Sequence, residues 1–309
     1  MLNQETDALA TILDLIRWGA SRFNEAGLFF GHGTDNAIDE AAFLVLHTLH
    51  LPNDLSSLYL GSRVTATERH EVLEVFTRRI EERVPAAYLV GEAWFAGLPF
   101  YVNPQVLVPR SPIAELIEQR FQPWIEEDHI ESVLDLCTGS GCIGISIAVW
   151  LPGTRVDLAD ISQTALEVAK RNVARHGLEG RVQTVHSDLF SALKGRKYDI
   201  MVSNPPYVGE DEMARLPTEY HREPALGLAA GAKGLDVVER ILAEAGAHLN
   251  PGGILVVEVG NSAEALAERY PAVPFLWLDF ERGGEGVFLL TEEQIRQHQE
   301  EFERVVKEI

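Results

Sequence analysis

The chain has 309 residues, 46% of them apolar, with 26 basic and 47 acidic side chains for a formal net charge of −21. That length suits two domains and supplies apolar residues for a core in each. The acidic surplus repels a phosphate backbone. It argues against a large nucleic-acid footprint and suits a basic protein partner, although acidic surfaces also serve solubility alone. Cys137 and Cys142 are too few for a disulfide framework and are not spaced as a usual zinc pair, so no metal is expected and a reducing, cytoplasmic setting fits. The N-terminus shows no apolar signal-peptide core, no apolar run reaches membrane-spanning length, and no internal repeat is visible.

Residues 1–90 read as helices. From Thr6 onward, Leu9, Ile12, Leu13, Ile16 and Trp18 recur at roughly helical spacing. A second helix is expected after Asp39 as cap. A third starts at Thr65 or Thr67 and stops at Val84-Pro85. Residues 91–112 hold aromatics, glycines and prolines and read as a short hairpin or extended linker. Ser111-Pro112 then introduces a helix over residues 113–125. From Ser132 the texture alternates. Strands are expected at residues 132–137, 155–160, 181–186, 197–204 and 254–260. Helices are expected at residues 142–151, 162–177, 235–249 and 263–270, with Asn250-Pro251-Gly252-Gly253 ending the third of these. This alternation means an α/β fold with a mainly parallel, doubly wound sheet. Residues 275–280 and 287–291 have no room for a helix between them and must pair antiparallel, giving one reversed strand near the sheet edge. The charged C-terminal stretch from Thr291 is expected as a solvated surface helix.

The chemistry gathers at the ends of these strands. Asp135, Cys137, Thr138, Gly139, Ser140 and Gly141 follow the first strand and open a helix. Glycines there allow a tight turn and close approach of a ligand to the main chain. Asp160 ends the second strand, where a carboxylate can accept both ribose hydroxyls of an adenosine, with Ile161 next to it. After the third strand, Asp188 can accept the exocyclic amine of adenine, and Leu189 or Phe190 can pack on the ring. Gly139-x-Gly141-x-x-Gly144 also matches the dinucleotide fingerprint, so by itself it admits a nicotinamide enzyme or a glycine-rich turn with no ligand. Three features favour S-adenosyl-L-methionine. Asp135 precedes the glycines, placed to reach a ligand amino group. The sheet ends in an antiparallel pair. The fourth strand ends in a motif that a dehydrogenase does not need.

That motif is Asn204-Pro205-Pro206-Tyr207. An amide nitrogen is a poor nucleophile because its lone pair is delocalised into the carbonyl. Two acceptors placed tetrahedrally, Asn204 Oδ1 and the Pro205 carbonyl, would draw its N–H bonds out of plane. The prolines stiffen the loop. Tyr207 can lie on the flat substrate group near the developing positive charge. No base is needed before transfer, because the product cation loses its proton easily. A plain strand-ending turn is the alternative.

With these residues, the sequence resembles the class I N5-glutamine protein methyltransferases over nearly its whole length. The resemblance rests on Phe95-x-Gly97-x-x-Phe100, Val106-Leu107-Val108-Pro109-Arg110, the glycine loop, Asn204-Pro205-Pro206-Tyr207, and Glu223-Pro224 followed by Gly227-Leu228-Ala229-Ala230-Gly231 and Gly234-Leu235. It implies a Rossmann-like methyltransferase domain over residues 113–309, a helical substrate-recognition domain over residues 1–90 and a linking β-hairpin over residues 91–112. It also implies cofactor contacts from Asp135, Thr138, Gly139, Ser140, Gly141, Asp160, Ile161, Asp188, Leu189 and Asn204. Phe100, Asn204, Pro205, Pro206 and Tyr207 would form the substrate pocket. One branch of that family acts on peptide-chain release factors and carries Pro-Glu-Thr where this chain has Ser111-Pro112-Ile113. The other acts on ribosomal protein L-three of the large subunit. Pro109-Arg110-Ser111-Pro112-Ile113, the tract Gly31-His32-Gly33-Thr34-Asp35-Asn36 and the run Cys137–Cys142 are similar to that second branch, whose basic substrate suits an acidic enzyme. Arg110 reads as structural or as an ion-pair partner in the pocket. His32 reads as a satisfied loop histidine or a substrate contact, and Glu258 as an orienting group for the Asn204 loop or a buried paired carboxylate. An adenine-N6 nucleic-acid methyltransferase could use the same Asn-Pro-Pro-aromatic device, but the charge and the lack of a basic cluster argue against it and against stable DNA binding. A non-catalytic ribosome-assembly protein is the other alternative, and the intact motif argues against it.

Overall fold

A computed structural model describes residues 6–307. The chain forms two compact units that do not follow chain order. One takes the chain up to Ala93 together with Val102–Pro104 and Pro217–Glu223. The other takes Trp94–Tyr101, Gln105–Leu216 and the chain from Pro224 onward.

The first unit is helical: α1 (Ile12–Glu25), α2 (Ala37–Thr48), α3 (Ala66–Glu81) and α4 (Ala86–Val90). Helix α1 starts at Ile12 because Thr11 and Asp14 close a capping box. The apolar periodicity overshoots this start, and Thr6–Ala8 form a separate 3-10 turn. Asn36, not Asp39, caps α2: its Oδ1 accepts from the amides of Ile38 and Asp39, so Asp39 lies inside the first turn. Thr65 caps α3, with Glu68 reaching back. Gly19 lets α1 approach α3, since a Cβ there would lie 2.5 Å from the Phe76 ring. Arg79 is buried and fully engaged. It donates to Glu40 at 2.7 Å, to Glu219 at 3.3 Å and to the Phe29 carbonyl at 2.9 Å. Burial alone would raise the Glu219 carboxyl, but the Phe29 amide and the Arg79 charge hold it below its ordinary range. His32 lies 3.4 Å from Glu223 with its ring against Tyr220, so it is a packed loop histidine.

The second unit begins at Trp94, within a hairpin of β1 (Glu92–Phe95) and β2 (Leu98–Tyr101). Helix α5 (Ile113–Glu118) is half the expected length. The backbone turns left-handed at Arg120 and Phe121, which buries the Phe121 ring. The strands are β3 (Ser132–Leu136), β4 (Arg155–Asp160), β5 (Val182–His186), β6 (Tyr198–Ser203), β7 (Leu249–Glu258), β8 (Leu276–Trp277) and β9 (Val287–Thr291). They lie in the order β5-β4-β3-β6-β7-β9-β8, and β9 alone is reversed, antiparallel to both neighbours. The expected reversed strand near the edge is therefore β9. Between the strands run α6 (Cys142–Trp150), α7 (Gln163–Arg175), α8 (Glu210–Met213), α9 (Asp236–Ala245) and α10 (Ala263–Arg269), and α11 (Glu292–Lys307) closes the chain. Successive strand residues face opposite apolar clusters: Val133, Val156 and Val202 enter one, Leu134, Ala159 and Met201 the other.

Two expectations are corrected here. Asn250-Pro251-Gly252-Gly253 does not terminate α9, which already ends at Ala245. It forms the start of β7, where Gly252 takes a positive φ of 79° and the register against β6 shifts. Helix α11 is not solvated all round. Ile295, Phe302 and Val305 are buried, and it packs on α9 and β7. Among the described residues no helix is long and apolar enough to cross a membrane.

Candidate active site

Strand order reverses between β3 and β6, and a cavity of about 470 Å³ opens beyond their carboxyl ends, the usual ligand position in such a sheet. Its size suits a cofactor together with one substrate side chain. Of the residues expected from the sequence, Thr138, Gly139, Ser140, Asp160, Ile161, Asp188, Leu189, Asn204, Pro206 and Tyr207 line it.

The floor is the turn after β3. Gly139 has φ +55°, its missing Cβ would meet nothing within 4 Å, and its amide donates to Asp160 Oδ2 at 2.9 Å. Asp160 Oδ1 accepts from the Ser162 amide at 2.8 Å. Both oxygens are thereby oriented, with lone pairs left for further donors. Burial pushes the Asp160 carboxyl up against the pull of these amides. Beside it, Ile161 is 51% exposed, an apolar surface suited to a flat ring. Asp188 pairs with Arg240 Nη2 at 2.9 Å. Arg240 also lines the cavity and was not foreseen, because one arginine on a helix carries no positional signal in sequence. Burial pushes the Cys137 thiol far up and that of Cys142 to about 12, so neither is a thiolate nucleophile.

Four expected residues lie outside the lining. Asp135 is buried behind the turn. Its Oδ2 accepts from Thr138 Oγ1 at 2.5 Å and from the Gly144 amide at 2.9 Å, while Oδ1 has no partner. Burial pushes its carboxyl up to about 7. Through Oδ2 it ties the glycine turn to the start of α6. Gly141 is needed for packing: it has φ +81°, and a Cβ would lie 2.9 Å from Ile145. Phe100 is fully buried beside Phe95 and His176. Pro205 is buried between two lining residues.

Asn204 follows directly on β6 and faces the cavity. Its side-chain amide makes no hydrogen bond within the described residues, so its Oδ1 is available to a ligand. Tyr207, three residues on, is held from several sides. Its carbonyl accepts from Ser262 Oγ at 2.8 Å, and its hydroxyl donates to Glu258 Oε1 at 3.0 Å. Its ring lies where a Cβ on Gly260 would be 2.6 Å away, and Gly234 is as closely pressed on its carbonyl. The tract Gly227-Leu228-Ala229-Ala230 now has a place. Val208 exchanges hydrogen bonds with Leu228 and Ala230, so this tract forms the cavity wall next to the Asn204 loop, with Leu226 59% exposed. Arg110 also lines the cavity and donates to the Val108 carbonyl at 3.2 Å.

A methyltransferase small domain model matches residues 119–218. The chain is 50% identical over 296 residues to a ribosomal protein uL3 glutamine methyltransferase of Neisseria gonorrhoeae, covering 96% of this chain and 99% of that one. It is 52% identical to the protein of the same name in Xanthomonas campestris, covering 94% of each. Among solved structures, the hMettl16 catalytic domain in complex with the MAT2A 3′UTR hairpin 6 superposes at a TM-score of 0.50 with 18% identity, over 75% of this chain and 84% of that one, a likeness of fold. By the extent of identity with these relatives, this chain belongs to the family of ribosomal protein uL3 glutamine methyltransferases.

Proposed function

We infer that the protein transfers a methyl group from S-adenosyl-L-methionine to the side-chain amide nitrogen of a glutamine in ribosomal protein uL3. The observation that carries this reading is the uncommitted Asn204 amide on the cavity at the carboxyl end of β6, in a chain whose relatives bear that name. The cavity fits the cofactor. Gly139 leaves open space for a close approach, Asp160 offers two oriented oxygens for the ribose hydroxyls, and Ile161 and Leu189 offer apolar surface for adenine. Asp188 accepts the adenine amine while Arg240 holds it. When bound, the cofactor supplies an electrophilic methyl group on a positively charged sulfur.

The residues of this chain then do the rest. Asn204 Oδ1 accepts one N–H of the substrate amide and draws it out of the amide plane, which localises the nitrogen lone pair toward the methyl group. The Tyr207 ring holds the flat carboxamide and faces the cation that forms. In-line positioning is the dominant effect, with an effective molarity contributing up to ~7–11 kcal/mol. The product cation loses its proton to water, so no side-chain base is assigned. The partner is a basic ribosomal protein in the cytoplasm, and stable DNA binding plays no part. Methyl transfer from labelled cofactor to purified uL3 and to a release factor, side by side, tests this, with mass spectrometry to locate the mark. Label on one glutamine of uL3 alone is expected. Label on the release factor alone would move the substrate assignment and leave the Asn204 chemistry standing.

A further inference from the structure

We propose that Ser111 and Glu258 are positioning residues for the methyl transfer, and that Ser111 acts on Tyr207 only through Glu258. The proposal rests on the glutamine-amide reading above. Glu258 is the last residue of β7 and is paired with Val287 of β9, so the sheet fixes its backbone. Its carboxyl is buried, and both oxygens are used. Oε1 accepts from the Tyr207 hydroxyl at 3.0 Å and Oε2 from Ser111 Oγ at 2.5 Å. Ser111 Oγ in turn accepts from the Ile113 amide at 3.2 Å, at the start of α5. With that lone pair taken and its single proton given to Glu258, the direction of the chain of bonds is set. Arg110 is the charged group facing Glu258 from the same segment.

Tyr207 and Ser111 both line the cavity, and the buried Glu258 joins them from behind its wall. The Tyr207 backbone is held at its carbonyl by Ser262, and one edge of its ring lies against Gly260. The bond from its hydroxyl to Glu258 restrains a swing of the hydroxyl end. A ring lying on a planar carboxamide moves that carboxamide when it swings. Reaction rate is steep in such displacements, since a shift of about 1 Å can cost on the order of a hundredfold. Ser111 stops the carboxylate from turning. This gives a physical task to Pro109-Arg110-Ser111-Pro112-Ile113, the tract that departs from the Pro-Glu-Thr pattern.

The test is a double-mutant cycle on the full-length protein with uL3 as substrate. Ser111→Ala and Tyr207→Phe should each lower kcat about tenfold, and the double variant should lose no more than the worse single one, the signature of two groups acting as a unit. Cofactor affinity by calorimetry should stay within about twofold in all three. Multiplicative losses overturn the proposal. A second readout needs no turnover. With 3-fluorotyrosine at position 207, Ser111→Ala should displace the fluorine resonance, and an unmoved resonance equally overturns it. If the unmodified protein methylates neither uL3 nor a release factor, the functional reading fails. The fluorine resonance then decides by itself whether Ser111 reaches Tyr207.

Discussion

Asn204, on the wall of the cavity at the end of β6, carries the proposed chemistry, and its motif was legible in the sequence. Asn-Pro-Pro-Tyr after an apolar strand is a local pattern, and the sheet places strand ends at the ligand. Asn204→Ala should keep the fold and the cofactor affinity but lower kcat by ~10²–10³-fold, as loss of one preorganised polar group does elsewhere. Turnover near that of the unmodified protein would reject the mechanism. Asp135 was legible as a residue but not as a role. The glycine-loop pattern puts it near a ligand, whereas its rotamer and burial hand its Oδ2 to Thr138 and Gly144. Its carboxyl titrates at about 7 in the folded protein against an ordinary 3.8. Between these values the folded state holds a proton that the unfolded state lacks. The stabilisation is thus complete below the lower value and is lost as pH rises through the upper one. The thermal midpoint of the cofactor-free protein should fall between about pH 4 and about pH 7, and part of that fall should vanish in Asp135→Asn. Identical pH dependence in both proteins would remove Asp135 as its cause.

Elements were legible where one local signal dominated. Strands β3, β4, β6 and β9 follow from short apolar runs, and α1, α2 and α3 from periodicity. Their starts were harder, because competing Ser, Thr, Asn and Asp residues all have capping chemistry and only backbone geometry chooses between them. Asn36 wins over Asp39 because its backbone is extended there. Helix α11 shows the opposite failure. Its charge density hides three apolar residues at helical spacing, Ile295, Phe302 and Val305. Phe302→Ala should therefore cost ~3–5 kcal/mol, read by urea denaturation, as for other buried aromatics. A cost within about 0.5 kcal/mol would return α11 to a solvated surface helix.

At the scale of the whole molecule, the net charge of −21 acts as a field that attracts a basic partner. Catalytic efficiency on the intact ribosomal protein should fall as salt rises from about 0.05 M to about 0.5 M, where the screening length shrinks to a few ångströms. The efficiency on a short neutral peptide containing the glutamine should change far less. Equal salt dependence of the two would show that charge does not guide the encounter.

Composition, periodicity and motif spacing were enough to determine an α/β sheet with one reversed strand, a separate run of helices, and the position of Asn204 to Tyr207 just after a strand end. These features depend on neighbours within a few residues, where helix and strand geometry dictate what lies together. Tertiary structure alone decided the rest. It drew Pro217–Glu223 out of the sheet segment into the helical unit through Arg79 and Glu219. It buried Phe100 and Asp135 outside the cavity lining, and brought Arg240 to Asp188. It also joined Ser111 to Glu258 across 147 residues. The physical reason is common to all of these. A buried polar or charged group takes whatever partner the packing brings to it, and no local pattern records which partner that will be.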